Sequence, residues 1–187
     1  MTPLARPGGR VFLRPPRAAD RDEMLRLYRA SRRFYRGLAS PLVTPRQFAL
    51  YLARRKRADS PGFVVCRRSD GAIVGALNLS EIVRGPLQSA YLGYQVGAPF
   101  AGQGYMTEAL DLALGFAFGG LGLHRVEANI QPGNRPSLAL VRRAGFRREG
   151  LSPRYLKVCG RWRDHERWAL LAEEWAARRR RAKRRRR

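Results

Sequence analysis

Apolar residues along this 187-residue chain change their spacing several times, and each change marks an element. Val11 and Leu13 alternate with Arg10, Phe12 and Arg14, a period of two that predicts a strand over 10–14, stopped by Pro15 and Pro16. Asp20 stands where a helix N-cap is expected, ahead of an apolar face begun by Met24, Leu25 and Tyr28. Thr44–Pro45 opens a second helix, with Phe48, Tyr51 and Leu52 on its apolar face. Strands over 63–67 and 73–83 are separated by the turn Ser69-Asp70-Gly71, and Gly85–Pro86 turns the chain into a strand over 89–96. From Met106 the period becomes helical: Met106, Ala109, Leu110, Ala113, Phe116 and Ala117 share one face until Gly119–Gly120 ends the helix. Val126, Ala128 and Ile130 then alternate with Arg125, Glu127 and Asn129, the mark of a half-buried strand over 125–130. A short helix over 134–144 is stopped by Gly145, the residue type suited to a left-handed C′ position. Strands over 146–151 and 155–171, the second bent at Gly160, lead into a helix from Glu173. Strands first, one helical crossover and a terminal hairpin predict a mixed α/β (α+β) sheet.

Composition narrows this picture. At 44% hydrophobic residues the body can bury a core, which suits one domain over 1–175 followed by an arginine-rich tail over 176–187. No apolar run approaches the roughly 20 residues needed to cross a bilayer, and no apolar stretch follows the basic N-terminus, so neither a membrane partner nor a secretory signal is expected. Cys66 and Cys159, far apart and without metal-ligand spacing, fit a reduced cytoplasmic protein, and no metal is expected. The formal net charge is +24, and Arg178 to Arg187 contributes nine cations with Ala182 the one uncharged residue. Such a run is expected to be solvated and disordered. It serves either as a solubility tail or as a salt-sensitive anchor for RNA or an RNA-rich particle through counterion release, and the basic body favours the anchor.

Candidate chemistry gathers in the crossover. Strand 89–96, loop 97–104, helix 105–118 and strand 125–130 form a strand–helix–strand unit whose strands should be parallel and whose connection should be right-handed. Gly102 and Gly104 allow a tight turn and close approach of a ligand, and the following helix offers unpaired N–H groups and a positive dipole end to an anion such as a pyrophosphate. No acidic residue lies between Gly102 and Thr107 to repel it. The loop lacks the lysine of a P-loop and the third glycine of a dinucleotide fingerprint.

The order of short motifs resembles the GNAT superfamily of acyl-CoA transferases and, within it, the RimJ/RimL branch of ribosomal-protein N-terminal acetyltransferases. The pieces are Val11-Phe-Leu-Arg-Pro15, Leu77-Asn-Leu-Ser80, Val83-Arg-Gly85, Tyr91-Leu-Gly-Tyr-Gln-Val-Gly97 and Ala101-Gly-Gln-Gly-Tyr-Met-Thr-Glu-Ala-Leu110. They continue with Asn134-Arg-Pro-Ser137, Gly145-Phe146, Glu149-Gly150, Tyr155-Leu156 and Gly160-Arg-Trp-Arg-Asp-His165. The resemblance implies a mostly antiparallel sheet flanked by helices, with a central parallel pair splayed around acetyl-CoA. It implies that backbone N–H groups of Gly102, Gln103, Gly104, Tyr105 and Met106 hold the pyrophosphate and that Thr107 and Asn134 contact the cofactor. Tyr94, Gln95 and Val96, on an irregular central strand, would bind the cofactor and stabilise the oxyanion. Ser137 would stand by the sulfur and protonate the leaving thiolate.

The acceptor implied is the N-terminal α-amine of a protein, most readily a ribosomal one, attacked directly in a ternary complex. With a pKa of about 8 it is partly neutral at physiological pH. Ser137 and Asn134 also read as helix-capping residues, and both roles can hold at once. The general base does not carry over, since Arg154 occupies the position that is acidic in some relatives. Glu81 and Glu127 are the replacements considered, either acting through a water, though each reads more readily as a structural carboxylate paired with arginine. Ala101 departs from the Gln or Arg common there. His124 reads as structural, and in the Trp162-Arg-Asp-His165 stretch Trp162 and Asp164 are expected to fix the hairpin. Two other readings remain open: acetylation of a small amine, which the positive charge disfavours, and a non-catalytic ribosome or RNA assembly factor.

Overall fold

Most changes of period become elements in the computed structural model, which describes residues 2–184. The strands are β1 (Leu4–Ala5), β2 (Val11–Arg14), β3 (Gly62–Arg67), β4 (Ile73–Val83), β5 (Ser89–Val96), β6 (Arg125–Ile130), β7 (Arg147–Val158) and β8 (Arg161–Leu171). The helices are α1 (Arg21–Ala30), α2 (Pro45–Arg55), α3 (Tyr105–Gly115), α4 (Arg135–Ala144) and α5 (Ala172–Arg184). One sheet runs in the order β1-β2-β3-β4-β5-β6-β8-β7. The pair β5/β6 is parallel and all other pairs are antiparallel, as the crossover pattern requires.

Helices cover both faces of this sheet, so its central strands are apolar on both sides. Phe63, Val65, Leu77 and Leu79 pack with Ala109, Leu110 and Ala113 of α3 and Val141 of α4. On the other face Val64, Cys66 and Ala76 pack with Met24, Leu25 and Tyr28 of α1 and Phe48 of α2. Thr44 caps α2 by accepting from Gln47 N at 3.2 Å, with Pro45 in the first turn. Asp20 precedes α1 but does not cap it through its side chain. Its carboxylate instead accepts from both terminal nitrogens of Arg14, at 2.8 and 2.7 Å, and from Arg17 N at 2.7 Å.

Three expectations need correction. The terminal hairpin does not break at 152–154 and bend at Gly160: β7 runs from Arg147 to Val158 and the reversal is at Cys159-Gly160. Pro153 is accommodated because the pairing slips between Ser152 and Leu156, where Arg154 adopts φ 47° and donates its N–H to Asp164 Oδ1 at 2.7 Å. The crossover helix changes type within its expected span: α3 is α-helical through Gly115 and continues as a five-residue π turn, Phe116–Gly120, closed by Leu121 N to Phe116 O at 2.8 Å. The basic segment, read as unstructured from 176, is helical in α5 through Arg184. Trp175 anchors it against Phe118 with ring centroids 5.5 Å apart, and Arg178 donates to Arg143 O at 2.6 Å. Residues 185–187 of the expected tail lie outside the described residues. Among the described residues no helix is long and apolar enough to cross a membrane.

Candidate functional site

The site begins with a parting of strands. β5 and β6 pair only at Ser89–Arg125, Ala90–Val126 and Tyr91–Glu127; beyond these they diverge. On its other side β5 keeps an unbroken register with β4 from Tyr91 to Val96. The central strand is therefore regular at 94–96, against expectation, and the irregularity lies on β4, where the register shifts between Ser80 and Val83. Gly97 N donates to Val74 O at 2.8 Å, so in this register Gln95 and Gly93 bond to β4, while Leu92, Tyr94 and Val96 turn their backbone groups toward the gap. The Tyr35 hydroxyl donates to Val96 O. That leaves the N–H groups of Tyr94 and Val96 as the free donors along the gap, a role that Gln95's backbone cannot share.

A built loop closes one end of the gap. Gly102 and Gly104 hold φ of 75° and 82°, a region where a side chain is strained, and Gly104 is the N-cap of α3. A Cβ on Gly102 would meet nothing within 4 Å, so the backbone there is open to a ligand. The first turn of α3 presents its unsatisfied N–H groups to the same space. Arg10 bolts the loop in place: its guanidinium donates to Gln103 O at 3.1 Å and to Glu108 Oε1 at 2.6 Å, while its backbone N–H reaches Glu108 Oε2 at 2.8 Å. Burial opposes ionisation of Glu108, but the bonds to Arg10 outweigh it and hold the carboxyl below its usual range. The carboxylate nearest the anion-ready loop is thus neutralised.

The cleft encloses about 910 Å³ and passes through the sheet. Toward α3 and α4 it is lined by Met106, Thr107, Asn134, Ser137 and Arg143; toward α1 by Phe34, Tyr35, Leu38 and Ala39. The segment joining α1 to α2 is strapped across this second mouth. Gln131 Nε2 donates to Leu38 O at 3.0 Å, and Cys159 Sγ at the hairpin tip lies 3.5 Å from Ala39 O and from Ser40 Oγ. Among the described residues the lining contains no Asp or Glu.

Of the site residues read from the sequence, Tyr94, Gln95, Val96, Gly102, Gly104, Met106, Thr107, Asn134 and Ser137 all line this cleft. Gln103 and Tyr105 belong to the loop but turn their side chains away, Gln103 to Pro99 O at 2.7 Å and Tyr105 against Phe100 and Arg10. Asn134 is the cap of α4, its Oδ1 accepting from Ser137 N at 3.3 Å. The Ser137 hydroxyl makes no hydrogen bond within the described chain and remains available. Tyr94 adds a second hydroxyl, 3.4 Å from Ser137 O, and burial pushes its pKa up to about 12.

Glu81 and Glu127 are not brought to the cleft. Glu81 is exposed at the β4 bulge with φ 50°. Glu127 receives Arg125 Nε at 2.8 Å, and Arg125 also binds Glu149, so this carboxylate is structural. Arg154 lies on the hairpin bulge, its backbone N–H held by Asp164 and its side chain exposed, outside the cleft lining. Sequence reasoning missed Arg10, Tyr35, Asn129 and His165. Arg10 meets Glu108 across 98 positions, a contact no local pattern encodes. Asn129, with Oδ1 buried and without a partner, and His165, 4% exposed, both line the cleft. Neither had a local signal, since each stands on the polar face of its strand, Asn129 with Arg125 and Glu127 on β6 and His165 with Arg163 and Arg167 on β8.

Residues 10–147 match the family model described as Acetyltransferase (GNAT) domain. Over 172 residues the chain is 33% identical to Bacillus subtilis YjcK, named Probable N-acetyltransferase, covering 88% of this chain and 95% of that protein. It is 41% identical over 103 residues to the ribosomal protein uS5-alanine N-acetyltransferase of Escherichia coli, a match spanning 55% of this chain and 53% of that one. Mycobacterium smegmatis RimJ in complex with CoA-disulfide superposes with a TM-score of 0.82 at 34% identity, covering 92% of this chain and 87% of that structure.

Proposed function

Since the chain belongs to the GNAT family and is an N-acetyltransferase, we propose that it carries the acetyl group of acetyl-CoA to the N-terminal α-amine of a protein, most readily a ribosomal one. The observation that carries the reading is the divergence of β5 from β6 beyond Tyr91–Glu127, beside a glycine loop with open backbone donors. A pantetheine arm fits such a gap because Tyr94 and Val96 offer it the backbone groups that strand pairing would otherwise consume. The pyrophosphate sits at the loop over Gly102 and Gly104, where the start of α3 favours negative charge. Binding of CoA-disulfide by the similar RimJ supports this placement.

The chemistry follows from what surrounds the gap. The neutral amine attacks the thioester carbonyl from the α1 side. The N–H groups of Tyr94 or Val96 receive the developing oxyanion. As the C–S bond breaks, the Ser137 hydroxyl protonates the thiolate, and Tyr94 stands next to it as a hydroxyl that keeps its proton at neutral pH. Cys66 is buried and Cys159 lies at the hairpin tip, neither among the lining residues, so transfer is direct, without a cysteinyl intermediate.

The acceptor is inferred from charge and shape. A polyamine needs anionic partners, and the lining provides no carboxylate. A mouth roofed by residues 34–40 and lined by Phe34, Leu38 and Ala39 suits the slender, flexible end of a polypeptide. Ribosomal proteins fit further because a chain of net charge +24 is drawn to RNA-rich particles, and the similar uS5-alanine enzyme acts on one. In this reading α5 and the arginines beyond it hold the enzyme near rRNA, and the working compartment is the cytoplasm. Mass spectrometry of ribosomal-protein N-termini from cells with and without the gene tests the substrate. At least one N-terminus should lose the mass of an acetyl group, about 42 Da, when the gene is removed; an unchanged set rules the substrate out.

A further inference from the structure

The cleft has a polar residue for cofactor and leaving group but, with Glu81 and Glu127 outside it, no carboxylate to deprotonate the amine. The titratable side chains in its lining are Tyr35, Tyr94, Arg143 and His165. Burial raises both tyrosines above their ordinary range, and the Tyr35 hydroxyl is engaged with Val96 O. An arginine stays protonated and cannot accept. The remaining group is an imidazole.

The geometry points to His165 as the general base of the transfer, an inference that rests on the acetyltransferase reading above. Its Nδ1 lies 2.9 Å from Arg163 O. A carbonyl oxygen only accepts, so Nδ1 carries the proton and the lone pair of the neutral ring is on Nε2. Nε2 makes no hydrogen bond within the described chain. The ring is held in place by a T-shaped contact with Tyr155, centroids 6.2 Å apart, and by the pairing of its backbone with Ser152 on β7, next to Glu166 where β8 is paired with β6. A base needs this combination of a fixed tautomer, a fixed ring and an open acceptor nitrogen.

Position agrees with the chemistry. Trp168 and Leu170 of β8 point into the core beneath α3 and α4. His165, an odd number of positions from Trp168, therefore faces the α1 side, from which the acceptor enters. Sharing that face are Arg163 and Arg167 on β8, Tyr155 on β7, Arg125 and Glu127 on β6 and Tyr91 on β5, with Tyr35 from the segment after α1. Glu127 and Glu149 are both bound to Arg125, so among the described residues neither carboxylate is free to compete for the incoming ammonium's proton. In the step assigned here, R–NH3⁺ gives one proton to Nε2, making imidazolium and R–NH2. The amine nitrogen bonds to the acetyl carbon and the C–S bond breaks. The second amine proton leaves as the amide forms and is matched by the one the CoA thiolate takes up through Ser137. The imidazolium returns its proton to solvent.

The test uses the full chain, acetyl-CoA, and a panel of synthetic peptides headed by Ala, Ser, Thr and Met, with spermidine as a small-amine control. In His165→Asn the side-chain amide keeps a donor for Arg163 O while removing Nε2. At pH 7 its kcat/KM for the accepted amine should fall about a hundredfold, with acetyl-CoA affinity unchanged. The deficit should shrink as pH rises past the amine's own pKa of about 8. A loss that is the same at every pH, or no loss, overturns the assignment. A second measurement needs no acceptor: in histidine ¹⁵N spectra of the wild-type protein, His165 should carry its proton on Nδ1, and an Nε2–H tautomer overturns the proposal even if the variant fails to fold. No turnover by the wild type on any amine would instead remove the parent reading, an outcome distinct from a wild type that works and a variant that matches it.

Discussion

At the scale of single residues, capping and chemistry separate cleanly within the first turn of α4. Asn134 supplies the cap through Oδ1, and what it receives is the backbone N–H of Ser137, not the hydroxyl. Replacing Ser137 with Ala should therefore leave the helix intact while removing the proposed donor to the thiolate. We expect kcat to drop roughly tenfold to a hundredfold, below the full value of a lost acid because Tyr94 stands beside it. Thermal stability and acetyl-CoA affinity should stay near those of the wild type. Steady-state kinetics with calorimetric binding checks this, and full turnover in Ser137→Ala would take the hydroxyl out of the mechanism. The identities of Asn134 and Ser137 were readable from the chain because their role depends on spacing within one turn. Glu127 was readable only as one of two alternatives, and the fold decided between them: its partner Arg125, two positions away on the same face of β6, is held in turn by Glu149 of β7.

Among elements, the loop before α3 concentrates the most strain and the most function. Gly104 sits at φ 82°, and a Cβ there would also come within 2.9 Å of Arg10 Nη2, the residue that anchors the loop. Gly104→Ala should cost about 1–2 kcal/mol from the left-handed backbone alone. Because Arg10 must also move, the loop shifts, and acetyl-CoA should bind about tenfold more weakly. Gly71 has the matching φ of 75° and open space around it, but lies at the β3–β4 turn. Gly71→Ala should lose comparable stability with no change in affinity. Equal affinities in the two variants would show that the loop does not hold the cofactor. The elements themselves were largely legible: β4, β5 and β6 have the boundaries that alternation and turn residues assign. The β7–β8 hairpin was not, because Ser152-Pro153 looks like a stop until the pairing of β8 is seen to carry β7 through it.

For the molecule as a whole, charge is the dominant property and its placement matters more than its sum. The acid-free cleft belongs to a protein whose carboxylates are largely occupied in pairs such as Arg14–Asp20 and Arg125–Glu149. Part of the cation surplus is carried outward on α5, and the rest is spread over the body. Arg178 is part of the fold through Arg143 O, and Arg179 stacks over Trp175, whereas Arg180, Arg181 and Arg184 are exposed. Changing these three to Gln should leave acetyl-CoA binding intact and weaken ribosome association. The slope of log K against log salt should become shallower by up to about 3, near one for each phosphate that the variant no longer neutralises. Sedimentation with ribosomes at graded salt measures this, and an unaltered slope would show the helix to be passive.

The sequence by itself determined the alternation of strands and helices, the parallel crossover, the glycine loop and the residues of the α4 turn. These are local: each depends on periodicity, on a residue's own backbone preference, or on spacing within a turn. Only the tertiary structure decided where β5 and β6 part, that Arg10 neutralises Glu108, that Glu81 and Glu127 stay outside the cleft, and that His165 lies inside it. Those facts depend on which strands become neighbours and which face each side chain takes, and pairings that span 98 positions leave no trace in any window of the chain.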